Sequence, residues 1–240
     1  MKNVKIVIMM IVAAALLSAC AATKQARKVE ASGFLGEYSS LLQPGAKVDG
    51  VQQVLLIYTK PNLNIKGYHK ILLEPISVWV DPTIEMTSEQ RNDIQVVADS
   101  ASVMLREKLS KDYEMVDNSG PGTIRMQIAI INAEKHTPGI SFISKVVPQL
   151  RMVNAIWTFA SGKPFFTGEV HMEFKFTDAQ SGELLVAGAD KRVGSGQKVF
   201  EKNVFKSWGD VQNAFEYWGN LAVYRLCTLR GDKDCVKPKA

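Results

Sequence analysis

From Glu169 to Phe176 the chain alternates without a fault. Val170, Met172, Phe174 and Phe176 fall on one side of an extended backbone, and Glu169, His171, Glu173 and Lys175 on the other. Side chains of a strand point to opposite faces in turn, so this pattern predicts a strand with one face on a core and one in water. That arrangement belongs to antiparallel sheets. Asp178 to Glu183 supplies turn residues and Leu184 to Val193 returns, which makes 168–193 a hairpin.

The remaining elements are read around that hairpin. Val51 to Tyr58 is a strand ended by Pro61. Ile71 to Val80 is a second, in which Pro75 breaks the alternation and argues for an edge or a bulge. Tyr113 to Val116 is short. Ile124 to Glu134 is long, with Ile124, Met126, Ile128 and Ile130 on one face. Residues 87–111 predict a helix. Thr87 is placed to cap it, Gln90 stands in capping-box spacing, and Ile94, Val97, Ala98, Ala101, Met104, Leu105 and Leu109 make its apolar stripe. Ser207 to Leu229 predicts another. Ser207 is its cap, and Val211, Ala214, Phe215, Trp218, Leu221, Ala222, Leu226 and Leu229 form the stripe. The expected fold is a single α+β domain over 32–240. It is an antiparallel sheet of about five or six strands with two long helices packed on one face.

The amino terminus reads differently. Lys2 and Lys5 precede an uncharged apolar run from Ile6 to Leu17. The run is well short of the ~20 residues that cross a bilayer, so it reads as an export signal over 1–19. Leu17-Ser18-Ala19-Cys20 ends it. An aliphatic residue, two small ones and a cysteine resemble the lipobox of bacterial lipoproteins. The resemblance implies diacylglyceryl transfer to the Cys20 thiol, cleavage before it, and acylation of the new amine. It also implies, through Ala21 in place of an aspartate, transfer to the outer membrane. The alternative is an ordinary secretory signal with an incidental cysteine. Residues 20–31, small and charged, read as a flexible tether. From Ser32 to Gly45, Phe34, Leu35, Tyr38, Leu41 and Leu42 recur at helix-like spacing and predict an apolar strap packed on the domain.

Ser32-Gly33-Phe34-Leu35 with Tyr38, Leu41 and Pro44-Gly45, then Tyr68-His69-Lys70 leading to Pro75, then Asp178 to Leu185, resemble the bacterial lipoprotein family catalogued as domain-of-unknown-function family 3313. The likeness spans about residues 32–225. It implies no activity, no cofactor and no catalytic residues.

Chemistry is sparse in this chain. The three histidines, His69, His136 and His171, form no zinc pair. No nucleophile elbow, phosphate loop or dinucleotide fingerprint is present. Of the three cysteines, Cys20 is assigned to lipid, and Cys227 and Cys235 are expected as a disulfide in an oxidising compartment, two free thiols being the alternative. A net charge of +5, dispersed along the chain, does not suggest nucleic acid. The segment 136–164 is rich in Ile, Val, Phe and Trp, yet Lys145, Pro148 and Arg151 argue against a membrane span. It is expected as a proline-broken helical excursion. Either it packs over the domain, or Phe142, Val146, Leu150, Val153 and Trp157 meet a partner or the membrane surface. The leading expectation is a non-enzymatic envelope lipoprotein, without metal or cofactor, on the periplasmic face of the outer membrane, binding the membrane through its anchor and another envelope component. The alternative is a ligand-binding protein or hydrolase using the polar strand face around His171, where Glu169 and Glu173 flank an imidazole.

Overall fold

The computed structural model describes residues 23–80, 88–132, 169–193 and 204–239. In chain order they form β1 (Lys24–Gln25), a 3-10 helix (Gly36–Leu41), β2 (Gln43–Pro44), β3 (Lys47–Val48), β4 (Val51–Gln52), β5 (Leu56–Thr59), β6 (Lys70–Leu73) and β7 (Ser77–Val80). Then follow α1 (Ser88–Leu109), β8 (Glu114–Met115), β9 (Thr123–Asn132), β10 (Glu169–Asp178), β11 (Leu184–Val193) and α2 (Val204–Arg230).

The predicted hairpin is the centre of the sheet. β10 pairs antiparallel with β11 on one side and with β9 on the other. The sheet order is β2-β5-β11-β10-β9-β6-β8, with β1 added on β11 and β7 on β9; β3 and β4 form a separate hairpin. The sheet therefore has nine strands among the described residues, not five or six. It is mixed as well, for β6 and β7 run parallel to β9, and β8 runs parallel to β6. The reason is α1. A tight turn makes neighbours antiparallel, whereas a helix carries the chain back to the end it left, and the next strand then runs parallel.

Two expected strands are each split in two. Pro75 has no N–H, and the N–H of Ile76 goes to Ser102 Oγ of α1 at 3.2 Å instead of to the ladder. That divides 71–80 into β6 and β7. Between β4 and β5 the Leu55 N–H leaves the ladder for Asp190 Oδ1 at 3.1 Å. In both places a side chain outbids a carbonyl, which period-two reading does not register.

Strand partners share a face, so the hydrophobic side of the hairpin can be followed across the sheet. Val170, Met172 and Phe174 join Met126, Ile128 and Ile130 in one core with Val97, Ala98 and Ala101 of α1 and Ala214, Phe215 and Trp218 of α2. Both helical stripes are thus used as expected, with two corrections in α2. It starts at Val204, so Ser207 lies inside the helix and does not cap it. Leu229, placed in the stripe, is 36% exposed. Thr87, the expected cap of α1, lies outside the described residues, as do 1–22, 136–164 and Gly194-Ser195-Gly196.

The opposite face of the hairpin is not in water. The strap from Ser32 to Leu42 crosses it, and Leu35, 1% exposed, packs on Leu184 and Ala187 with Phe34, Tyr38 and Tyr58 around them. Burying a leucine so fully is worth roughly 1.5–3 kcal/mol. Phe34 meets Trp79 edge-on at 6.0 Å, and the Lys175 ammonium stands 5.2 Å from the Phe34 ring centre. The tether is also shorter than expected. Thr23 is buried, and Lys24 and Gln25 pair with Val193 and Arg192 of β11.

Gly188 marks how tightly the central strands close. A Cβ there would lie 2.7 Å from Phe174 Cζ and 2.9 Å from the Leu56 carbonyl oxygen. Gly188→Ala should therefore lower stability by about 1–3 kcal/mol through overpacking, measured as a shift in the urea midpoint at unchanged m-value.

Candidate functional site

The His171 face is sealed. Glu173 is 0% exposed, and its Oε1 accepts the Ser32 N–H at 2.5 Å. His171 Nε2 lies 3.5 Å from that same oxygen, too far for a good hydrogen bond, and neither His171 Nε2 nor Glu173 Oε2 has a partner among the described residues. Burial, reinforced by the nearby Lys191 ammonium, lowers the imidazole to about 4. Burial pushes the Glu173 carboxyl up, against the pull of the Ser32 and Leu35 N–H groups. Both shifts lean toward the uncharged forms, and the pair is a buried contact under a strap, not an open acid–base pair. No group of three or more His, Cys, Asp or Glu placed to hold a metal occurs among the described residues.

The helix-facing side of the sheet holds a second polar group, which alternation alone did not reveal. Asp190 and Arg192 pair with Met172 and Val170, so both point into the core. Their exposures are 0% and 4%. Asp190 accepts from Trp218 Nε1 and Gln25 Nε2, each at 2.7 Å, as well as from the Leu55 N–H. Burial raises its carboxyl, and Trp218, Gln25, Leu55 and Arg192 pull it back down. The Arg192 guanidinium lies 3.7 Å from the centre of the Tyr217 ring and donates to Thr23 Oγ1 at 2.8 Å and to the Thr23 carbonyl. The clue in the sequence was two charges on the apolar register of a strand. Beside Thr23 an open groove is lined by Lys108, Lys111, Arg192, Lys237 and Lys239, with Glu216 as its one acidic side chain.

Beyond these, a cavity of about 190 Å³ lies between sheet and α2. Its floor is Met126, Ile128, Met172 and Phe174, and its roof Phe215, Trp218, Leu221, Ala222 and Leu226. Its lining also includes the exposed Val48 and Leu229, so it opens between the β3–β4 hairpin and the end of α2. Arg225 spans that opening. Its NH2 donates to the Val51 carbonyl at 3.0 Å, while its Nε is buried with no partner among the described residues. Burial lowers this guanidinium from its ordinary value, and Tyr224 and Asp49 oppose that. Neither the cavity nor Arg225 was legible beforehand, because each is made where a helix meets a sheet.

Of the other predicted site residues, Cys227 and Cys235 are joined as a disulfide. It closes the loop after α2, worth roughly 2–3 kcal/mol on the chain-entropy account, and Lys237 beyond it donates to the Asp49 carbonyl at 2.8 Å. Cys20 and the candidate partner residues Phe142, Val146, Leu150, Val153 and Trp157 lie outside the described residues. Among the described residues no helix is long and apolar enough to cross a membrane.

A family model described as "Protein of unknown function (DUF3313)" matches residues 30–222. No curated protein matches. Solved structures similar to this chain include a PelC dodecamer from Paraburkholderia phytofirmans, 13% identical, covering 65% of this chain and 94% of that one at a TM-score of 0.30. Another is a DUF4136 family protein from Bacteroides thetaiotaomicron, 12% identical, covering 66% of this chain and 91% of that one at a TM-score of 0.33. Likeness at this level carries no argument about function.

Two outcomes test the buried polar groups. Asp190→Asn sets a donor opposite either Trp218 or the Gln25 and Leu55 pair, and should cost about 1–3 kcal/mol in urea unfolding. His171 is neutral in the folded chain down to about 4, whereas its unfolded value is 6.5. Only the unfolded chain takes up that proton between the two values, so the histidine makes stability rise with pH across this window. Its share is about 3 kcal/mol. His171→Leu should remove that rise, read as the difference between the two proteins' stability profiles so that Glu173, which slopes the opposite way, cancels.

Proposed function

Since the chain belongs to the DUF3313 family, whose description gives no function, we propose from its own residues that it is a non-enzymatic envelope protein anchored by lipid at Cys20. It sits on the periplasmic face of the outer membrane and binds another envelope component there. The observation that carries this reading is the docking of Thr23. Arg192 holds its carbonyl and hydroxyl, and the next two residues add to the sheet. Only Ala21 and Ala22 then separate Thr23 from Cys20, so the three chain steps reach at most ~11 Å.

A leash that short holds the Thr23 side of the body against the headgroups. Lys108, Lys111, Lys237 and Lys239 line the groove on that side. Each lysine close to an anionic surface adds roughly 1 kcal/mol. The acyl chains supply the main hold at about 0.8 kcal/mol per buried CH₂, and two or more chains are needed for a firm one. The sealing of Glu173 and His171 under the strap counts against both a ligand site and a hydrolytic one on that face.

The anchor is tested by labelling cells with a tagged fatty acid and fractionating the envelope. The intact chain should carry the label and sediment with outer membrane. Cys20→Ser should lose the label and leave the membrane fraction. A Cys20→Ser chain that is processed and fractionates unchanged would refute the anchor.

A further inference from the structure

We propose that the cavity between the sheet and α2 binds one acyl chain of an anionic amphiphile, with its charged head at Arg225. This goes beyond the anchor and does not depend on it, because the site is built from residues far along the chain from Cys20. Three observations lead here. Depth comes first: from Phe174 and Trp218 outward to Val48 and Leu229 at the mouth, the described walls are almost wholly apolar. A polar solute would lose its water inside and find little to replace it. Size comes second. About 190 Å³ exceeds the ~150 Å³ of an apolar cavity that takes up benzene, so it admits a stretch of hydrocarbon chain.

The third observation is the placement of charge. Among the described residues Arg225 is the one charged residue in the lining, and it stands at the mouth. Its Nε is buried and unpartnered among the described residues, although NH2 already serves the hairpin carbonyls of Val48 and Val51. A buried N–H of a cation without an acceptor is costly, and a carboxylate or phosphate oxygen would satisfy it with a charge-assisted bond. Asp49, in the turn between β3 and β4, is near enough to compete weakly for the guanidinium. A head bound at Arg225 would therefore draw on the same residue that ties the hairpin to α2. The β3–β4 hairpin forms one side of the mouth. Its strands pair with each other, Val51 packs into the core, and Arg225 and the Lys237 bond to Asp49 tie its backbone to the body.

The head chemistry is shared by a free fatty acid and by an acidic phospholipid, and the experiment separates them. The full-length protein in its own membrane is irradiated with a diazirine-bearing dodecanoic acid, with the matching alcohol, and with a phosphatidic acid carrying the diazirine on one chain. Labelled residues are mapped by mass spectrometry. The inference expects label on Phe174, Trp218, Leu221 and their neighbours with at least one acidic probe, and that probe names the source. Ala222→Phe, which fills the cavity, should cut this label about tenfold while leaving the melting temperature level or higher. If that variant melts early, Ala101→Leu fills the facing wall with a smaller change. Arg225→Gln should lower labelling by the acidic probe about tenfold and leave labelling by the alcohol alone. Label confined to the outer surface, or cavity label unchanged in a folded filled variant, overturns the proposal. Equal loss of acid and alcohol labelling in Arg225→Gln overturns the role of the charge. A Cys20→Ser chain that leaves the membrane but keeps its cavity label separates this result from that of the anchor.

Discussion

One buried carboxylate holds four parts of this protein together. Asp190 sits at zero exposure on the core side of β11 and accepts from β1, from the backbone ahead of β5 and from α2. A carboxyl there would be costly alone. Three N–H donors, and Arg192 two residues on and on the same face, offset the burial that raises it. The arrangement also sets register. In the middle of β11, Gly188 adds to this, because a slip would bring the Cβ of Ala187 or Ala189 against Phe174. A slip of one residue would turn Asp190 toward the strap and leave the Trp218 indole N–H and the Leu55 N–H without their acceptor.

The two faces of the sheet are then covered by different means. Helices α1 and α2 bury one face by the usual meeting of apolar stripes. The other is closed by a strap of about ten residues built on a 3-10 turn, with Leu35 as its one deeply buried side chain. A cover so thin works because the groups beneath it are met one by one. Ala187 offers a flat patch, and Glu173 is met by backbone N–H groups. Where the helix side fails to close, at the end of α2, the cavity opens and Arg225 bridges the gap.

The legibility of these features divides along physical lines. The hairpin of β10 and β11 and the stripes of α1 and α2 were readable because period and burial are local properties of a segment. The break at Pro75 was readable because the missing N–H belongs to the residue itself, although its consequence, two strands both parallel to β9, depended on where α1 returns the chain. The tether was misread at Thr23 to Gln25. Small and charged residues signal freedom unless something buried waits for them, and here Arg192 and Asp190 do. The polar face was misread for a similar reason. Alternation tells which residues share a side, not what lies over it.

By itself, then, the order of residues determined the hairpin, the two amphipathic helices, the pairing of Cys227 with Cys235 and the family to which the chain belongs, because each depends on spacing or on short motifs. Tertiary structure alone decided that Asp190 and Arg192 are core residues, that His171 is sealed, and that a cavity remains beside Arg225. Those outcomes depend on which distant surface meets each face of the sheet, and contacts between elements far apart in the chain leave no periodicity to read.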